Sequence, residues 1–148
     1  FMLSDWLAVR MAQALKVDPY KTVFVGKRKE AVARLKVEKG QGKVLINGVP
    51  VELIGNWIVR EKMLVPLRLA EGVWKSHNFY LNVQGGGIMG QADACAIALA
   101  RAVVAIDPDL KPSIEKYDYH LLSGDPRRTE PKKPNRRSAR RFKQKSYR

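Results

Sequence analysis

The stretch Ala92 to Ile106, ADACAIALARAVVAI, carries only Asp93 and Arg101 as charges and is apolar almost all round when set on a helix. A helix of that kind has no face to give to water, so it must be buried, and its alanines allow close packing against a sheet. The sheet is expected from the runs TVFVG after Lys21, AVARLKVE, VLI and VPVELI, rich in β-branched residues, with Val32, Leu35 and Val37 among polar neighbours. Asn47-Gly48 suits a two-residue hairpin turn with positive φ angles, and Lys39-Gly40-Gln41-Gly42-Lys43 is a glycine turn with cations on both shoulders. Three antiparallel strands follow from these turns. HNFYLNVQ, with Phe79, Leu81 and Val83 alternating, predicts a fourth strand.

Residues 56 to 71 show helical spacing in Ile58, Met63, Leu64, Leu67 and Leu69, with Pro66 expected to kink the helix or begin a second one and Gly72 to end it. After the long helix, Asp107-Pro108-Asp109 makes a turn, and SIEKYDYHLLSGD reads as a short helix or extended hinge. The expectation is an α+β fold: a single two-layer domain over residues 22–125, a mostly antiparallel four-stranded sheet with helices on one face, and an extended basic C-terminal tail over 126–148. A body of about 125 residues has the usual size of one domain. Residues 1–21 form a leader in which Leu7, Met11 and Leu15 at steps of four, beside Leu3 and Trp6, predict a helix that Ser4 could cap. It lacks the basic start and small-residue cleavage site of a secretory signal.

Several chemistries find no support. No run reaches the ~18 apolar residues of a membrane span, because Asp93 and Arg101 interrupt the best candidate. The one cysteine, Cys95, excludes an internal disulfide, and without an evident basic neighbour it reads as a small core residue. The only histidines, His77 and His120, lie far apart and cannot compose a convincing zinc site with a single cysteine. No arrangement of nucleophile, acid and base is evident. Neither a metal, a cofactor nor an enzymatic activity is expected.

Charge points elsewhere. Of the formal +14, the last 23 residues hold eleven Lys or Arg against Glu130 alone, which is +10, and contain no Ile, Leu, Val or Met. With so little to bury, this segment is expected to be disordered until it meets a polyanion, and nucleic-acid phosphates suit it by counterion release. Fully extended, it could reach about 75–80 Å at ~3.3–3.6 Å per residue. Lys27, Arg28 and Lys29, at the first strand's end, read either as a solvated loop or as phosphate contacts.

Gly85-Gly86-Gly87-Ile88-Met89-Gly90 matches G-x-G-x-x-G between a predicted strand and a helix expected over 91–106. A dinucleotide site also needs a following strand ending in an acid, which is missing here, and a phosphate loop needs Lys and Ser or Thr where Gln91 and Ala92 stand. What remains is a tight turn whose backbone N–H groups, at a helix N-terminus, favour any phosphate.

The segments VGKRKEAVARLKVEKGQGKVLINGVPVE, VQGGGIMGQADACAIALARAVV, KYDYHLLSGDPRRTEPKKPN and the terminal QKSYR resemble the universal small-subunit ribosomal protein nine family. GDPRRTEPKKPN and KSYR are closer to its archaeal and eukaryotic branch. The resemblance covers 22–148 and leaves the leader outside. It implies a structural constituent of the small-subunit head in the cytoplasmic ribosome, bound to small-subunit rRNA and neighbouring head proteins, with a left-handed βαβ crossover in its sheet. It further implies that Lys145, Ser146, Tyr147 and Arg148 approach peptidyl-site tRNA. Lys27, Arg28, Lys29, Gly85, Gly86, Gly87, Arg127, Arg128, Lys132, Lys133, Arg136, Arg137, Arg140, Arg141 and Lys143 then become rRNA-binding candidates. Tyr147 could stack on a base or ribose, or merely pack on rRNA. Charge alone would also fit a nucleic-acid binder acting away from ribosomes, and the glycine turn a nucleotide-binding enzyme using Gly85 to Gly90.

Overall fold

The computed structural model describes residues 18–142 and 144–147. The helix expected in the leader lies almost wholly outside the described residues. One mixed sheet carries five strands, β1 (Phe24–Arg28), β2 (Ala31–Lys39), β3 (Val44–Ile46), β4 (Val49–Pro50) and β5 (His77–Gln84), in the order β1-β2-β5-β3-β4. Among the described residues four helices accompany it: α1 (Trp57–Leu69), α2 (Ile88–Ile106), α3 (Lys111–Tyr117) and α4 (His120–Ser123).

Period-two patterning decides the layers. Along β2, Ala31, Ala33, Leu35 and Val37 are buried while Arg34, Lys36 and Glu38 are exposed; along β5, His77, Phe79, Leu81 and Val83 are buried while Asn82 and Gln84 are exposed. The buried rows meet α2, which packs on β1, β2 and β5, and α1 packs in turn on α2. The helices therefore share one face, as expected. Burying side chains the size of Leu35, Phe79 and Leu99 contributes about 1.5–3 kcal/mol each.

Three expectations about the sheet need correction. Among the described residues there are five strands, not four. β2 and β3 do not form a hairpin across the glycine turn, because β5 lies between them, antiparallel to β2 and parallel to β3. Eight residues of β5 pair with β2 from Val32↔Gln84 to Lys39↔His77, which three-residue β3 could not match. Asn78 Oδ1 accepts from the N–H groups of Gln41 and Lys43, so the glycine turn wraps the start of β5. Finally, VPVELI is a strand only at Val49–Pro50, and Val51–Leu53 turns as a 3-10 helix. The Asn-Gly turn is as expected: Asn47 has φ 50° and Gly48 φ 81°, and Asn47 also bonds Val83 through both its side-chain amide atoms.

Asn56 caps α1, its Oδ1 accepting from Ile58 N–H at 3.1 Å, and α1 continues through Pro66 without a break. Pro66 is fully buried, so packing offsets the hydrogen bond its ring removes. By length and composition α2 is apolar enough to cross a membrane, contrary to expectation, since two charges are too few to disqualify it. That apolar surface is used in the core, where ten of its residues are buried. Cys95 is among them, and burial pushes its thiol pKa up to about 12, as befits a core residue. Past Gly124 the described chain forms turns and one isolated bridge, Arg136 to Phe142.

Candidate nucleic-acid interface

The Lys27-Arg28-Lys29 cluster is divided by the pleat. Lys27 points to the uncovered side of the sheet, Arg28 points inward, and Lys29 takes φ 53° in the β1–β2 turn. Arg28 is committed to intramolecular contacts: its guanidinium lies 3.2 Å from Asp125 and 3.6 Å from Asp93, and it donates to the Arg127 carbonyl at 2.9 Å. Lys62 of α1 reaches Asp93 at 2.6 Å. Lys62, Asp93, Arg28, Asp125 and Arg127 thus form one chain of alternating charge along a cleft of about 290 Å³.

Asp125 anchors the start of the C-terminal segment. Its carboxylate accepts from the side chain and the backbone N–H of Arg127, and with Arg28 nearby this holds its pKa far below the usual carboxylate range. Arg128 pairs with Glu30 in the β1–β2 turn at 2.8 Å, a second link between segment and sheet. Farther on, Glu130 binds Lys133 and Arg140, each at 2.7 Å, and both keep its carboxyl below the ordinary range. The Arg136 guanidinium stacks 4.1 Å over the Phe142 ring, and Arg137 N–H bonds Arg141 C=O.

The rRNA-binding candidates therefore fall into two sets. Arg28, Arg127, Arg128, Lys133 and Arg140 hold carboxylates, and Arg136 covers Phe142. The side chains of Lys27, Lys29, Lys132, Arg137 and Arg141 make no hydrogen bond or ion pair among the described residues. Exposed ion pairs contribute only ~0–1 kcal/mol, so the outer ones can be exchanged for phosphate contacts. Lys145, Ser146 and Tyr147 are exposed, Tyr147 at 90%. Lys143 and Arg148 lie outside the described residues.

The glycine turn has a geometric cause. Gly85 and Gly86 have φ 78° and 66°, and a Cβ on Gly85 would stand 2.6 Å from the Glu30 carbonyl, so the chain crosses the β1–β2 turn at backbone distance. Gly87 caps a helix that begins at Ile88, three residues earlier than expected, with no side chain bonded at its cap. Gly90 is already helical, and a 3-10 turn at Pro108–Leu110, not a strand, follows α2. The geometry of a dinucleotide site is not formed. Sequence reasoning missed Arg101, whose guanidinium donates to the carbonyls of Val25 and Leu122, tying α2 to β1 and α4. Its only signal was a charge in an otherwise apolar helix.

The model of the family described as ribosomal protein S9/S16 matches residues 26–148. A small ribosomal subunit protein uS9 of Pyrobaculum aerophilum is 48% identical over 139 residues, covering 93% of this chain and 98% of that protein. The protein of the same name from Desulfurococcus amylolyticus is 46% identical, covering 93% and 100%, and that of Picrophilus torridus 49%, covering 85% and 96%. The match runs from within β1 through all later described strands and helices and the whole cationic segment: the chain belongs to the ribosomal protein S9/S16 family.

Proposed function

We propose that this chain is a structural constituent of the small ribosomal subunit in the cytoplasm, holding small-subunit rRNA with its folded domain and its cationic C-terminal segment. The observation that carries the reading is the coincidence of near full-length identity to small ribosomal subunit proteins with a segment of +10 that has almost nothing apolar to bury. Lys27, Lys29, Lys132, Arg137, Arg141 and Lys143 engage phosphates directly. Arg127, Arg128, Lys133, Arg136 and Arg140 join them once their internal partners are exchanged, while Arg28 holds the root of the segment. The N–H groups at Gly85, Gly86 and Gly87, where α2 begins, offer a further phosphate site.

Residues 126–148 act as an extended tail, and Lys145, Ser146, Tyr147 and Arg148 reach peptidyl-site tRNA, with Tyr147 free to stack and two cations beside it. Neighbouring head proteins complete the setting. Sucrose-gradient sedimentation of the tagged full chain tests assembly: comigration with small subunits is expected, and a protein found only free or on other nucleic acid would refute the ribosomal role. Removing Tyr147 and Arg148 should weaken peptidyl-site tRNA retention with subunit assembly intact. Unchanged retention would remove the proposed role of the tip.

A further inference from the structure

We propose that the uncovered face of the sheet is a second RNA-binding surface, distinct from the C-terminal segment and centred on Arg34 and Lys36. The proposal rests on the ribosomal reading above and assigns part of the domain's grip on RNA to Arg34 and Lys36, which lie outside the basic clusters and beside Lys27.

Register places the groups. On this face Arg34 lies opposite Asn82, Lys36 opposite Tyr80, and Val32 between Lys27 and Gln84. Successive outward residues on a strand stand ~6.6–6.8 Å apart and neighbouring strands ~4.8 Å apart, so the three cations fall within about 15 Å. Among the described residues the four helices pack elsewhere, and Arg34, Lys36, Lys27, Asn82 and Gln84 are exposed. None of these side chains, nor the Tyr80 hydroxyl, makes a hydrogen bond or ion pair among the described residues. This separates them from Arg28, Arg101 and Arg127, which are committed within the fold.

Among the described residues the only acid on this face is Glu38, at its far end opposite Asn78, leaving 3 − 1 = +2 beside two free amides. A protein partner would favour an apolar, Lys-poor centre. Here the centre is Arg34, Lys36 and Asn82 with one phenol ring, which is what a ribose-phosphate backbone with an unstacked base requires.

The test uses the full chain carrying Arg34→Gln and Lys36→Gln together. Binding to protein-free small-subunit rRNA is measured across salt concentrations. Lys75→Gln with Lys116→Gln, exposed cations on other elements, serves as the charge control. A second comparison neutralises Arg137 and Arg141 in the C-terminal segment. Each lost phosphate contact should lower the salt slope by ~0.7–0.9, so the face variant should lose about 1.5 units and roughly ten- to a hundredfold in affinity near 0.1 M salt. Circular dichroism should be unchanged, since both positions are exposed.

Equal loss in the face variant and the charge control would overturn the proposal, as would wild-type RNA affinity coupled to failed incorporation into subunits, which would make this a protein-docking face. A loss confined to the segment variant refutes the face and leaves the ribosomal reading standing. Wild-type affinity and slope in every variant would overturn RNA binding altogether.

Discussion

Gly26 is where β1 touches α2 backbone to backbone, and Gly26→Ala measures what that contact is worth. A Cβ there would stand 2.0 Å from the Ala94 carbonyl oxygen and 2.7 Å from the Ala98 nitrogen, where ordinary contact begins near 3.4 Å. The obstacle is main chain on both sides, so no rotamer change relieves it, and helix and strand must part by 3.4 − 2.0 = 1.4 Å. Gaps of only ~0.5–1 Å forfeit a quarter to a half of each dispersion well, and here they would open along a helix whose Ala94, Cys95 and Ala98 are fully buried. Overpacking ordinarily costs ~1–3 kcal/mol, and this case belongs at or above the upper end, about 3 kcal/mol. For a domain of this size that is a fall of ~10–15 °C in Tm. Thermal and urea unfolding of the full chain would read it, with Gly55→Ala, whose Cβ would meet nothing within 4 Å, as the control. A Gly26→Ala melt within ~2 °C of the parent would refute the close-contact account.

Arg101→Met should cost about 2–3 kcal/mol by leaving the Val25 and Leu122 carbonyls without their charged donor, a shift of ~1–2 M in the urea midpoint; an unmoved midpoint would deny the tether. Because folding depresses the Asp125 pKa, its contribution is complete above the unfolded value near ~3.9 and is lost only as pH falls through the lower folded one. A carboxylate ¹³C titration should therefore show Asp125 still ionised at pH 3, and a midpoint near 4 would break the link to Arg127 and Arg28. Asp125→Asn should hasten tryptic cleavage after Arg127 and Arg128, and equal cleavage rates would argue against an anchored segment. With its pKa pushed up to about 12, Cys95 should react with a disulfide reagent at pH 8 only once denaturant opens the core. Rapid stoichiometric labelling of the native protein would contradict that burial.

What could be read from the chain was what local chemistry decides. Asn47-Gly48 announces its turn because two positive φ angles leave few other choices, and Ala92 to Ile106 announces the core because no side of it suits water. The outward row of β2 is visible as Arg34, Lys36 and Glu38 between Ala33, Leu35 and Val37. The neighbours of a strand are a different matter. Nothing in VLI states that its partner lies more than thirty residues downstream, since β3 and β5 meet only after α1 has crossed between them. The internal partners of Arg28 were hidden for a related reason. Its direction follows from the pleat once Gly26 faces α2, and its partners Asp93 and Asp125 come from distant parts of the chain. The start of α2 was placed late because all four glycines of the motif look alike in sequence, whereas only Gly85 and Gly86 need positive φ.

The seat of β5 between β2 and β3 also sets an order of events during synthesis. β2 and β3 emerge early, joined by a short glycine loop that invites them to zip together in a hairpin the finished sheet excludes. The strand that belongs in that slot is completed at Gln84, after 84 − 46 = 38 further residues, which is ~2–8 s at ~5–20 residues per second. Through that interval the nascent sheet must keep a vacancy one strand wide, and a chain that closes it too soon has to unzip before α2 can find its bed.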